Sequence, residues 1–226
     1  MEVKNHILFE NGKPVTFKAT PNITAGVKDP VFIVAHYDTA GNATSAIDWM
    51  TTKGVNASAD LHIDRAGNIT QLAPFNKITW HAGASEWKGY KSLNRYAVGI
   101  EMQNLGGQIY TDIQIEKFIA ISKALKNAYS IREIVGHDQI ATPAGRKVDP
   151  GRQFPMTYVR EQSGILSPVY TTANVNLRLN PTVYMPVLEV LPKSTLVDVL
   201  WEGDGWAEVY VKKDDLKGWV SSQYIR

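Results

Sequence analysis

The chain has 226 residues, 44% of them hydrophobic and 20% charged, with a formal net charge of +2 and no cysteine. That length gives one large domain, or one domain with a small module appended. The composition leaves no electrostatic footprint for a nucleic-acid partner, no run near the ~18–20 apolar residues of a membrane span, and no disulfide or thiolate metal site.

Val31–His36 reads as a buried strand. Ser45–Thr52 has the spacing of a short amphipathic helix, and Ala57–Ile63 with Asn68–Ala73 forms a hairpin around the turn residues Asp64-Arg65-Ala66-Gly67. Tyr96–Gln103 is a second central strand. Thr111–Tyr129 is the strongest helix: Thr111 or Asp112 is the N-cap, and Ile115, Phe118, Ile119, Ile121, Leu125 and Tyr129 recur near helical spacing. Ile131–Val135 is a third strand. Alternation of this kind predicts an α/β fold, a mixed central sheet flanked by helices. From about Ser167 helical periodicity disappears, and short apolar runs between turn residues predict a small all-β barrel. The expected division is a first domain over 1–160, a linker over 161–168 and a second domain over 169–226.

The third strand feeds GHDQIATPAGRKVDPG (136–151), a loop broken by prolines and glycines that holds His137, Arg146, Lys147 and Asp149. An imidazole and a carboxylate are zinc ligands, and a catalytic zinc takes three protein ligands and leaves a position for water. His36, closing the first buried strand, supplies the third. No serine lies in a G-x-S-x-G elbow, which argues against a serine hydrolase.

Six segments in order, FIVAHYD (32–38), DRAGNITQLAPF (64–75), WHAG (80–83), VGIEMQN (98–104), the helix 110–129 and IVGHDQIATPAGRKVDPG (134–151), resemble the zinc-dependent N-acetylmuramoyl-L-alanine amidases, which share their fold with peptidoglycan-recognition proteins. VNLRLNPT (175–182), GDGWAEV (203–209) and KGWVSSQYI (217–225) resemble bacterial SH3-like modules. The resemblance implies one zinc per catalytic domain on His36, His137 and Asp149. It makes Glu101 the proton-handling carboxylate and Lys147 the cation at the oxyanion, and it puts Trp80, His81 and Asn104 on the substrate side. Arg146 is expected to order its loop by pairing with a carboxylate, while His6 and His62 are expected to be structural. The chain departs from the family at Asp60, where relatives carry a histidine in the hairpin strand; a cleft-facing Asp60 would change substrate contacts.

The implied partner is peptidoglycan, with no membrane insertion, and the implied activity is that of a phage or prophage endolysin. MEVKNHILFENGK lacks the basic and apolar regions of a signal peptide, which fits an enzyme kept in the cytoplasm of the producing cell until it is released onto the wall. The alternatives are a cytosolic amidase recycling soluble muropeptides and a non-catalytic peptidoglycan-recognition module. The last usually lacks a zinc ligand, and here all three residue types are present.

Overall fold

The structure, a computed structural model, describes residues 1–225, apart from the side chains of Ser167 and Pro168. The chain forms two compact units, Met1–Pro155 and Met156–Arg226. Among the described residues no helix is long and apolar enough to cross a membrane.

The first unit is built on a six-stranded mixed sheet. Its order is Glu133–Gly136, Phe32–Tyr37, Ala97–Met102, Leu61–Ile63, Ile69–Gln71 and Thr16–Phe17. The first four run parallel, and the Leu61–Ile63 and Ile69–Gln71 pair is the antiparallel hairpin. Near-continuous apolar sequence in the central strands follows from burial on both faces. Phe32, Val34 and Ala97 pack with Ala82, Leu93, Val135 and Ile140, and by the two-residue period His36 lies on the same face as Phe32 and Val34.

Helix Asp112–Ala128 starts at Thr111, whose side chain caps Gln114 N while the Gln114 side chain reaches back to the cap, a closed capping box. The residues expected on its apolar stripe, Ile115 to Leu125, are buried. Helix Ala43–Thr51 begins two residues earlier than expected because Asn42 accepts from Ser45 N at 2.9 Å. The short N-terminal meander (Glu2–Lys4, Ile7–Glu10, Lys13–Pro14) was not legible in the sequence, since two to four residues leave no period to read.

The second unit opens with helix Met156–Ser163, followed by an all-antiparallel six-stranded sheet in the order Ser167–Tyr170, Leu196–Gly203, Trp206–Val211, Leu216–Ser221, Val175–Arg178 and Val187–Leu191. A Thr171–Ile225 bridge ties the first strand to the chain end. The core is aliphatic: Val175, Leu177, Leu191, Val197, Val199, Val209, Val211, Val220 and Ile225. Trp201, Trp206 and Trp219 are half-buried and lie outside it. The expected linker 161–168 is a folded segment instead, finishing the helix and entering the first strand. Partners in the same unit hold the helix there: Arg160 Nη1 donates to Leu200 O at 2.8 Å, Thr157 bonds Glu208 at 2.9 Å, and Lys217 pairs with Glu161.

Asp60 does not face the cleft. It is fully buried and takes a two-pronged hydrogen bond from Lys28 Nζ, 2.9 Å to each oxygen. Thr79 Oγ1 and Gly99 N also donate to it, and Lys28 Nζ donates further to Ala97 O at 2.6 Å. Burial acts on both partners, lowering the Lys28 pKa and raising that of Asp60, against the pull of each on the other. Removing one member of such a pair strands the other charge, so Lys28→Met is expected to cost about 3–5 kcal/mol of stability. Urea unfolding of the K28M variant measures this, and the double variant K28M/D60L is expected to regain part of the loss.

Candidate metal centre and catalytic cleft

Three neighbouring parallel strands deliver the site at their carboxyl ends, where open α/β sheets place ligands. Glu101 is in register with His36 on one side and with His62 on the other, so all three side chains share one face. His137 follows directly on the Glu133–Gly136 strand and begins a short helix, His137–Ile140, where sequence suggested only loop. Asp149 is brought back from the far end of that segment.

The return is fixed by backbone contacts. Asp138 N donates to Asp149 O at 2.8 Å, and Tyr110 Oη to Pro150 O at 2.7 Å. Gly136 is required at the turn, because a Cβ there would lie 2.8 Å from Pro150 Cδ and also strike the Asp138 carboxylate. Arg146 orders the loop through carbonyls, not through the carboxylate expected: its guanidinium donates to Ala82 O (3.1 Å), Ala84 O (2.7 Å) and Thr142 O (3.1 Å). Those bonds clasp the segment onto residues 82–84.

His36 Nδ1, His137 Nδ1 and Asp149 Oδ2 form a triangle with edges of 3.1, 2.9 and 3.0 Å. These are the three residues of the His36, His137 and Asp149 group suited to hold a metal ion. Atoms bound at about 2.0–2.2 Å to one tetrahedral zinc lie about 3.3 Å apart, so the triangle fits that ion with a small expansion. The protonation states fit as well. Burial, outweighing the neighbouring Asp149 carboxylate, lowers the His36 pKa to about 4. Burial raises the Asp149 carboxyl, but the closeness of His137 and His36 outweighs it, holds the carboxyl below its usual range and keeps the group ionised. His137 Nε2 faces Ala82 O at 3.1 Å. A carbonyl only accepts, so this nitrogen carries the proton and the Nδ1 lone pair points into the triangle.

The triangle lies in a cleft of about 500 Å³ lined also by Tyr37, Asp38, Trp49, Trp80, Glu101 and Lys147. Glu101 Oε2 is buried with no hydrogen-bond partner among the described residues. Burial, then Asp149 and Asp38, push its carboxyl well above the usual range, while Lys147 pulls it down. Lys147 is exposed on the cleft lining.

The remaining expected residues divide. Trp80 lines the cleft and is tied by its indole N–H to Thr24 Oγ1 at 2.9 Å. His81 touches the cleft but is buried behind His36, with Nδ1 3.1 Å from His36 Nε2. Asn104 does not line the cleft; its amide is spent within its own loop, donating to Gln108 O and accepting from Gly106 N, both at 2.9 Å. His6 bonds Tyr129 Oη at 2.6 Å, far from the site in sequence and in contacts. His62 is more than a bystander: its Nε2 lies 2.7 Å from Asp38 Oδ2 and holds that cleft carboxylate. Asp38, two residues past His36 on the same strand face, was legible by the two-residue period.

Neighbouring parallel strands of the mixed sheet thus gather two imidazoles and a carboxylate, a group suited to hold a metal ion, beside Glu101 in an open cleft. Residues 26–152 match the N-acetylmuramoyl-L-alanine amidase family, and the chain belongs to it. Residues 173–226 match the bacterial SH3 domain. The 1,6-anhydro-N-acetylmuramyl-L-alanine amidase AmpD of Enterobacter cloacae is 40% identical over 99 residues, 43% of this chain and 52% of that protein. The chain spans about half the length of the curated relatives it matches. Among solved structures, a selenomethionine AmpD superposes with a TM-score of 0.61 at 27% identity, covering 72% of this chain and 99% of that one. AmpDH3 of Pseudomonas aeruginosa in complex with anhydromuramic pentapeptide gives 0.56 at 28% identity, covering 65% and 64%.

The Arg146 clasp has a measurable consequence. Arg146→Ala removes all three of its bonds and is expected to raise amide hydrogen exchange across 138–149 by about tenfold or more, since even one hydrogen bond to a charged donor is worth that much. Exchange in the Asp112–Ala128 helix should stay unchanged.

Proposed function

We propose that the chain is a zinc-dependent N-acetylmuramoyl-L-alanine amidase, hydrolysing the amide between N-acetylmuramic acid and the L-alanine of the peptidoglycan stem peptide. One zinc is held by His36, His137 and Asp149. The observation that carries this reading is the three-atom triangle in a cleft that also presents a carboxyl with one buried, partnerless oxygen and an exposed cation. Family membership supports the same bond.

An amide resists hydrolysis because water is a weak nucleophile and the amine a poor leaving group. Zinc at this triangle supplies a Lewis acid that activates water and polarises the scissile carbonyl. Glu101 takes the proton that the attacking water loses and returns it to the leaving nitrogen, a role worth typically ~10²–10⁴-fold. Its burial beside Asp38 and Asp149 lets it hold that proton. Lys147 stabilises the tetrahedral oxyanion, a contribution of about 3–4 kcal/mol for a well-placed donor. Trp80 gives the bound muropeptide an apolar wall.

The polymeric wall is the substrate we put first, an endolysin-type action, because the second unit is a bacterial SH3 match with half-buried tryptophans outside its core. Trp201 and Trp219 meet edge to face at 5.4 Å. Such a module raises the local concentration of enzyme at an insoluble polymer without altering the chemistry. The second reading is cleavage of soluble muropeptides. It is favoured by the anhydromuramic pentapeptide bound in AmpDH3 and by the naming of the E. cloacae relative as an anhydromuramyl amidase.

Glu101→Ala and Lys147→Ala are each expected to lower turnover by ~10²-fold or more while zinc content stays at wild-type level. Near-normal turnover of either variant on sacculi would remove that residue from the chemistry. Chelation is expected to abolish activity, with zinc restoring it.

A chain truncated after Pro155 separates the two substrate readings. Retained cleavage of a soluble muropeptide with reduced release of amino termini from insoluble sacculi supports the wall. Unchanged activity on both substrates supports the soluble reading.

A further inference from the structure

His81 reaches the cleft only at its edge, and the contacts of its buried ring explain why it is there. Its side chain fills the space over Gly99, in the middle of a central strand. A Cβ on residue 99 would come within 2.7 Å of His81 Nδ1 and 2.8 Å of its Cβ. Glycine inside a strand weakens it, and commonly marks a place where another group approaches the backbone closely. The strand gives up a side chain at 99 so that the imidazole of His81 can reach His36.

The hydrogen bonds then run in one direction. His81 Nε2 faces Ala97 O at 3.4 Å. That carbonyl only accepts, so His81 Nε2 carries the proton of a neutral imidazole and Nδ1 is left as an acceptor. His81 Nδ1 sits 3.1 Å from His36 Nε2, so His36 Nε2 is the donor. The lone pair of His36 is therefore on Nδ1, the atom that belongs to the triangle with His137 and Asp149. The Ala97 carbonyl is itself pinned by Lys28 Nζ at 2.6 Å, whose charge is held by Asp60. The chain of contacts from buried ion pair to Ala97, His81 and His36 is continuous. The two rings of the pair are nearly perpendicular, with centroids 5.2 Å apart, which fixes the plane of His36 as well as its tautomer.

We propose that His81 is a positioning residue for the metal centre: it accepts from His36 Nε2 and so sets the tautomer and orientation in which His36 Nδ1 binds zinc. This rests on the metal centre proposed above and revises the sequence expectation that His81 contacts substrate. His137 has a backbone carbonyl in the corresponding place; at His36 a side chain does that work, which makes it open to substitution.

The test is zinc affinity, measured by competition with a chromophoric chelator on the full chain, for wild type, His81→Ala and His81→Asn. Losing the group behind a metal-ligating histidine typically costs 10–100-fold in metal affinity. H81A is expected to bind zinc about 10–100-fold more weakly. H81N keeps an acceptor oxygen near the position of Nδ1 and is expected to recover most of that loss. A muropeptide KM near wild type in zinc-saturated H81A agrees with a role behind the metal; a large rise in KM with unchanged zinc affinity restores the substrate role and overturns the proposal. So does equal weakness of H81A and H81N, which would make the ring a packing element only. If H81A does not fold, H81N decides alone: affinity within about threefold of wild type supports the acceptor role, and a tenfold loss overturns it. Wild-type protein that takes up no zinc sinks the metal-centre reading itself, and with it this one, before His81 is varied.

Discussion

In a parallel sheet, residues in register turn their side chains to the same face, and the rest of the catalytic unit depends on that constraint. Strand Ala97–Met102 sits between Phe32–Tyr37 and Leu61–Ile63, so Glu101 is flanked by His36 and His62. The strand beyond, Glu133–Gly136, ends where His137 begins. A slip of one residue in any of these pairings would turn a histidine of the site or the glutamate to the opposite face. The dry cluster of Phe32, Val34, Ala97 and Val135 beneath the site holds the register, because the same slip would also expose it.

Around this sheet, cations are used to hold carbonyls. Lys28 holds Ala97 O and Arg146 holds Ala82 O and Ala84 O. Each of those backbone segments in turn meets a histidine of the site: Ala97 meets His81, and Ala82 meets His137. Orientation of the imidazoles is thus set by main chain that two cations have already fixed, and one of the two cations is wholly buried with its counter-ion. A buried pair of this kind is weak support for stability as such. Here the pair also reaches the site, since Lys28 Nζ donates to the same Ala97 carbonyl that His81 Nε2 faces. The eleven residues between His137 and Asp149 (138–148) cost little to close, and the Arg146 bonds remove most of their freedom.

The second unit follows a different economy. Its core is filled by valine, leucine and isoleucine from six antiparallel strands, which suits a small curved sheet in which β-branched side chains interdigitate. The tryptophans are thereby left on partly exposed faces, with Trp201 packed over Gly203, where a Cβ would come within 2.6 Å of its Cη2. Aromatic rings that a core does not need are what an interface uses.

Sequence determined a good deal by itself. The buried strands, the capped helix at Thr111, and the donor side chains at 36, 137 and 149 are local properties: apolar runs, a side-chain oxygen before a helical stripe, imidazoles and a carboxylate bracketing a loop. Those signals survive without knowledge of the fold, because each is read over a few neighbouring residues. What the tertiary structure decided were pairings between distant segments. Asp60 looked like a substituted cleft residue and is the counter-ion of Lys28, thirty-two positions away. Helix Met156–Ser163, whose last turn reads as linker in the sequence, belongs to the second unit through Leu200, Glu208 and Lys217. His62 holds Asp38, Arg146 holds carbonyls, Asn104 closes its own loop, and His81 stands behind His36. A side chain's partner is fixed by which strands lie side by side and in what register, and no local pattern encodes that.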